Sequence, residues 1–115
     1  MAISAATWET RRALTDNPTT SPDTYRSGGR QLMEMGLLSE AAIFFAKAED
    51  DDGLMEIISQ AVSEGNFFIF QTAAAHLKNR EAGPDLVQAL IEAATKNGRG
   101  LYAQKAIDWL AEKNR

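Results

Sequence analysis

Arg26 and Arg30 stand four residues apart, so on a helix both guanidinium groups project from one face. A guanidinium presents a planar fork that grips a carboxylate with two parallel hydrogen bonds. This pair is therefore the first candidate for ligand chemistry. The run Glu49-Asp50-Asp51-Asp52-Gly53 suggests a calcium loop. Setting Gly53 at that loop's central glycine puts Ala48 and Ser59 where the first and last carboxylate ligands belong, so the match fails. The run reads instead as a solvated connector, with Asp52 capping the next helix and Asp51 beside it, where negative charge is favoured. His76 is the one histidine, flanked by Leu77, Lys78 and Arg80, with no Ser or Cys partner at a recognised spacing. A chain without cysteine has no thiolate nucleophile, disulfide or Cys-ligated metal. No phosphate-cradling glycine loop, His-Glu-x-x-His pair or nucleophile elbow occurs either. The expectation is a protein that is not an enzyme, with no catalytic residue, no metal and no cofactor.

Those side chains need elements to hold them. With 115 residues, 44% of them hydrophobic, the chain is long enough for one core without covalent staples. Its net charge of −4 argues against sequence-blind nucleic-acid or anionic-membrane binding, which needs a cationic surface. No apolar run approaches the ~20 residues that cross a bilayer. The opening residues lack the basic-then-apolar order of a signal peptide, so the expected location is the cytoplasm. Residues 1–21 read as a capping helix and loop, with Trp8 a packing or capping residue and Asn17-Pro18 and Ser21-Pro22 as breakers. Residues 22–115 read as one helical domain.

Ser21 is a candidate N-cap with Pro22 at the first helical position. The first helix then carries Tyr25, Gly28, Gly29, Leu32 and Met35 at three- and four-residue steps, and Gly36 stops it. Ser39-Glu40 opens a second helix with Ala41, Phe44, Phe45 and Ala48. A third runs from the Asp52 cap through Leu54, Ile57, Ile58, Ala61 and Val62 to Gly65. Asn66 starts a fourth that continues to Leu77. Gly83-Pro84-Asp85 starts a fifth ending at Asn97-Gly98. The sixth carries Tyr102, Ala103, Ala106, Ile107 and Leu110, with Trp109 again a packing residue. The fold class is all-α.

Three glycines reveal a repeat. Counting from Gly36, Gly65 and Gly98, offset −11 holds Tyr25, Leu54 and Val87; offset −8 holds Gly28, Ile57 and Leu90. Offset −7 holds Gly29, Ile58 and Ile91; offset −4 holds Leu32, Ala61 and Ala94. After the glycines, offset +5 gives Ala41, Phe70 and Ala103, +9 gives Phe45, Ala74 and Ile107, and +12 gives Ala48, Leu77 and Leu110. Every position is apolar or glycine. The pattern predicts three helix–turn–helix units, each leaving apolar surface that its neighbour covers.

Residues 25–48 resemble a tetratricopeptide repeat: Tyr25, Gly29, Gly36, Ala41, Phe45 and Ala48 match the family's aromatic, glycine, turn glycine, alanine, aromatic and alanine. Gly28 and Gly53 depart from it, standing where the family favours leucine and proline, and residues 54–110 match only in hydrophobic pattern. The resemblance implies a right-handed α-α superhelix of three units behind the N-terminal helix and loop. It also implies a concave groove lined by the first helix of each unit. By offset, the groove residues are Arg26, Met55 and Gln88; Arg30, Ser59 and Glu92; Met33 and Val62; and Glu34. In tetratricopeptide domains that capture acidic tails, basic residues stand where Arg26 and Arg30 do. The expected role is a protein- or peptide-binding adaptor, scaffold or chaperone-like module, with an acidic segment as the ligand those arginines would grip. Two other roles remain open. One is self-association as a homodimer through an uncapped last helix. The other is a small ligand-responsive regulator with His76 near Asp108 or Glu64.

Overall fold

The structure is a computed structural model that describes residues 21–113; the expected capping helix and loop, Trp8 included, lie outside the described residues. Six helices follow in order: α1 Pro22–Glu34, α2 Leu38–Lys47, α3 Asp51–Glu64, α4 Phe67–Ala74, α5 Pro84–Lys96 and α6 Gly100–Lys113. Among the described residues there is no strand, so the chain is all-α.

Local chemistry explains where the helices start. Ser21 Oγ accepts from the Thr24 amide at 3.2 Å, and Pro22 occupies the first turn, where its missing N–H costs nothing. Asn66 Oδ1 does the same for the Ile69 amide at 3.2 Å. The cap of α3 is Asp50 rather than Asp52. Asp50 is the last non-helical residue, and its Oδ1 accepts from the Gly53 amide at 3.2 Å. Asp52 lies one residue inside the helix and reaches outward to Arg80. α2 begins at Leu38, one residue before the expected Ser39, without a side-chain cap.

The three turns share one closure. The residue after each turn glycine donates its amide back five residues: Leu37 to the Leu32 carbonyl at 2.9 Å, Asn66 to Ala61 at 2.9 Å and Arg99 to Ala94 at 2.7 Å. Such a turn needs a left-handed residue, and Gly36, Gly65 and Gly98 have φ of +80°, +69° and +74°. Three sequence units thus have one backbone geometry.

Each turn folds two helices against each other, giving hairpins α1/α2, α3/α4 and α5/α6. The first helices pack side by side, α1 on α3 and α3 on α5; the second helices α2, α4 and α6 do likewise. The extents of 40 × 28 × 17 Å agree with two helix layers. Axes 8–10 Å apart with a Cα radius of 2.3 Å give a thickness of roughly 13–15 Å.

The repeat positions face inward, with informative exceptions. Phe45, Phe70, Leu32, Leu54, Ile57, Ile58, Leu90 and Val87 form the fully buried core between the layers. Phe45 sits between two first helices. A Cβ on Gly29 would come within 3.0 Å of its Cε1, and one on Gly53 would overlap its ring. Leu77 is half-buried but lies beyond α4, which stops at Ala74. Past Ala75 the amides of His76 and Leu77 donate only three residues back, to Ala73 and Ala74, and the Asp51 carboxylate then accepts from the Lys78 and Asn79 amides, at 3.1 and 2.7 Å. Ile107 is 45% exposed, because α6 is the last helix and turns Ala103 and Ala106 toward the stack.

Candidate functional site

The first helices α1, α3 and α5 supply the face on which the sequence places a partner. On α1, Arg26 is half-buried and Arg30 exposed, while Met33 packs its side against the core and Glu34 is in solvent. On α3, Met55 is half-buried and Ser59 exposed; on α5, Gln88 and Glu92 are exposed. Val62 departs from this set. At 8% exposure it belongs to the core, because the end of α3 lies between its hairpin partner and α5.

Both arginines are already engaged. Arg30 meets Glu56 of α3 fork to fork, Nη1 to Oε1 at 3.1 Å and Nη2 to Oε2 at 2.9 Å. Its guanidinium carbon also lies 5.8 Å from the centre of the Phe45 ring. The hydrogen bond that Arg30 donates to Glu56, and then the Glu56 charge, raise the Arg30 pKa above the ordinary value. Arg26 bridges two elements: Nη1 reaches Asp23 at 2.6 Å and Nε reaches Asp50 at 3.2 Å. The two side chains thus tie α1 to the start of α3. An anionic ligand on this face has to displace Asp50 and Glu56 from them. Neither partner follows from helical spacing, since Asp50 and Glu56 lie 24 and 26 residues downstream and meet α1 only when the hairpins stack.

The acidic run is a junction. Asp50 caps α3 and holds Arg26. Asp51 binds the Lys78 and Asn79 amides, which lower its pKa below the usual aspartate value. Asp52 pairs with Arg80 at 2.7 Å, and Glu49 with Lys78 Nζ at 2.9 Å. These carboxylates fasten the 75–83 loop to the start of α3.

That loop walls a cleft of about 450 Å³ whose floor includes Leu77, Trp109 and Leu110, with Arg80 and Lys113 also lining it. Trp109 meets Phe70 edge-on at 5.2 Å, and Lys113 Nζ lies 5.1 Å from its ring centre. A second cleft, of about 370 Å³, opens at the other end of the α3/α4 hairpin, beside Leu37, Ile69, Glu40 and Glu64. His76 is exposed and lines neither cleft. Asp108 accepts from Gln104 and Glu64 lines the cleft at the far end of α4 from His76, so neither carboxylate shares one of these two clefts with His76. Against known proteins, the chain matches no family model, no curated protein and no solved structure.

Among the described residues no helix is long and apolar enough to cross a membrane. Sequence reasoning missed the two clefts. Their walls come from segments distant in sequence, which no local pattern brings together.

Proposed function

We propose that the chain is a non-catalytic, tetratricopeptide-like module that binds a protein or peptide segment along the α1/α3/α5 face. The observation supporting this reading is the stacking of hairpins in two layers only 17 Å deep overall. Such a stack presents one continuous face of first helices, held in advance of binding, which lowers the ordering cost of a ligand. Arg26, Arg30, Met33, Glu34, Met55, Ser59, Gln88 and Glu92 are the residues a ligand would meet there; Val62 is not among them.

The test uses Ser59→Trp and Gln88→Trp, two exposed positions whose enlargement obstructs the face without opening the core. Affinity capture from the native lysate is run with the parent chain and both variants. A partner retained by the parent and lost by the variants, at unchanged melting temperature, supports the reading. A partner held equally by all three removes it.

One observation favours a second reading, self-association through α6. Leu101 and Ile107 are 72% and 45% exposed on this last helix, which contacts the stack through α4 and α5. Sedimentation at two concentrations, repeated with Leu101→Lys and Ile107→Lys, separates a dimer built on this helix from a monomeric adaptor.

A further inference from the structure

The three glycine turns share a backbone and differ in the residue before the glycine: Met35, Glu64 and Asn97. Asn97 is the one asparagine of the chain followed by glycine. An asparagine side chain is open to attack by the backbone nitrogen of the next residue, and a side chain on that residue is the usual obstacle. Gly98 offers none, and nothing lies within 4 Å of where its Cβ would stand. Both residues are exposed, so water reaches the reacting atoms. Asn66 and Asn79 lack this freedom. Asn66 Oδ1 accepts from the Ile69 amide and the buried Phe67 follows it; the Asn79 amide is held by Asp51 and Arg80 follows it. In the closed turn the Gly98 amide donates to the Thr95 carbonyl at 3.2 Å, and Asn97 has a ψ of 11°. Attack therefore waits on an opening of the turn, which glycine permits at low steric cost.

Asn97 also has a structural task. Its Nδ2 donates at 3.4 Å to the carbonyl of Glu64, the last residue of α3, where the helix itself supplies no donor. Beside this contact α5 approaches the α3–α4 turn so closely that a Cβ on Gly65 would lie 2.5 Å from the Ala94 backbone. We propose that Asn97–Gly98 is a self-modification site, at which loss of the side-chain amide loosens the last hairpin from α3. The Gly98 nitrogen gives up its proton and bonds Asn97 Cγ; the Cγ–Nδ2 bond breaks, ammonia leaves and a succinimide ring closes. Water then opens the ring at either carbonyl, giving aspartate or, with one more carbon in the backbone, isoaspartate. Nothing is oxidised or reduced. Both products exchange a donor for a carboxylate beside the Glu64 carbonyl. The new charge also lies at the C-terminal ends of α3 and α5, where negative charge is disfavoured. The α1/α3/α5 face plays no part, and neither proposal depends on the other.

The experiment ages the full chain at mildly alkaline pH and physiological temperature, with sampling by ion exchange, peptide mapping and isoaspartyl methyltransferase labelling. An acidic species should accumulate, its modification mapping to Asn97 ahead of Asn66 and Asn79, and Asn97→Gln should remove it. The purified acidic species should melt roughly 4 °C below the fresh chain, as should Asn97→Asp made directly. Several outcomes overturn the proposal: no conversion at Asn97, conversion at Asn66 or Asn79 first, an acidic species that forms equally fast in Asn97→Gln, or an aged species and an Asn97→Asp variant that melt with the fresh chain.

Discussion

The ring of Phe45 fills the space that a Cβ on Gly53 would need, with Cδ1 of the ring as the nearest atom. Phe45 is fully buried, so its ring has no solvent to swing into. Alanine at residue 53 would gain at most about 1 kcal/mol of helix propensity. Overpacking a filled core costs about 1–3 kcal/mol. Gly53→Ala should therefore lower stability in urea denaturation, and should do less damage in a Phe45→Leu background. A stabilised Gly53→Ala would mean that the ring yields freely.

Two turn glycines with the same backbone conformation should respond differently to the same change. Gly65→Ala and Gly36→Ala both force alanine into left-handed φ, at about 1–2 kcal/mol each. At Gly65 the new Cβ would also lie 2.5 Å from the Cα and N of Ala94, backbone atoms of α5 that cannot step aside. At Gly36 nothing lies within 4 Å. Thermal melts should rank Gly65→Ala well below Gly36→Ala. Equal losses would show that α3 and α5 are not tightly apposed there.

The Arg30–Glu56 pair is half exposed on both sides, which limits its worth to about 1 kcal/mol or less. A double-mutant cycle with Arg30→Gln and Glu56→Gln should measure a coupling in that range, shrinking at high salt. Because Glu56 competes for the same fork, Glu56→Gln should tighten any acidic peptide held at Arg30. An unchanged affinity would place such a peptide elsewhere.

Acid should loosen the 75–83 loop only below the pH at which ordinary aspartates protonate. The Lys78 and Asn79 amides hold the Asp51 pKa below its ordinary value, so Asp51 contributes stability at pH above the unfolded value of about 3.9. That contribution disappears as pH falls through the lowered folded value. Carboxyl-carbon NMR should show Asp51 titrating below the other aspartates, with the Lys78 and Asn79 amide signals moving at the same midpoint. Asp51→Asn should abolish that joint movement.

Most of the helical frame was legible because it rests on short-range chemistry. Gly36, Gly65 and Gly98 each need positive φ, and Ser21, Asn66 and Gly83-Pro84 mark starts that any local reading finds. What escaped depends on partners brought in by stacking. Asp50 rather than Asp52 caps α3 because one short side chain must reach the Gly53 amide, a difference of two residues that composition does not resolve. α4 ends early, and the chain beyond it is held by Asp51, some 27 residues upstream, which accepts from the Lys78 amide. The placement of Arg26 and Arg30 on one face of α1 was plain. Their engagement by Asp50 and Glu56 was not, since a four-residue step within one helix says nothing of which carboxylate the next hairpin brings. Val62 was misassigned for the same reason: α5 covers the end of α3.

A slab two helices deep has neighbours only ahead and behind. α3 is flanked by first helices on both sides, whereas among the described residues α6 packs chiefly on its hairpin partner α5 and the neighbouring α4. Solvent deuterium should therefore enter such a chain from its ends inward, reaching the α5/α6 amides well before those in the middle of α3. Under load the outer hairpins should come away before the central one, which is the anvil on which they rest.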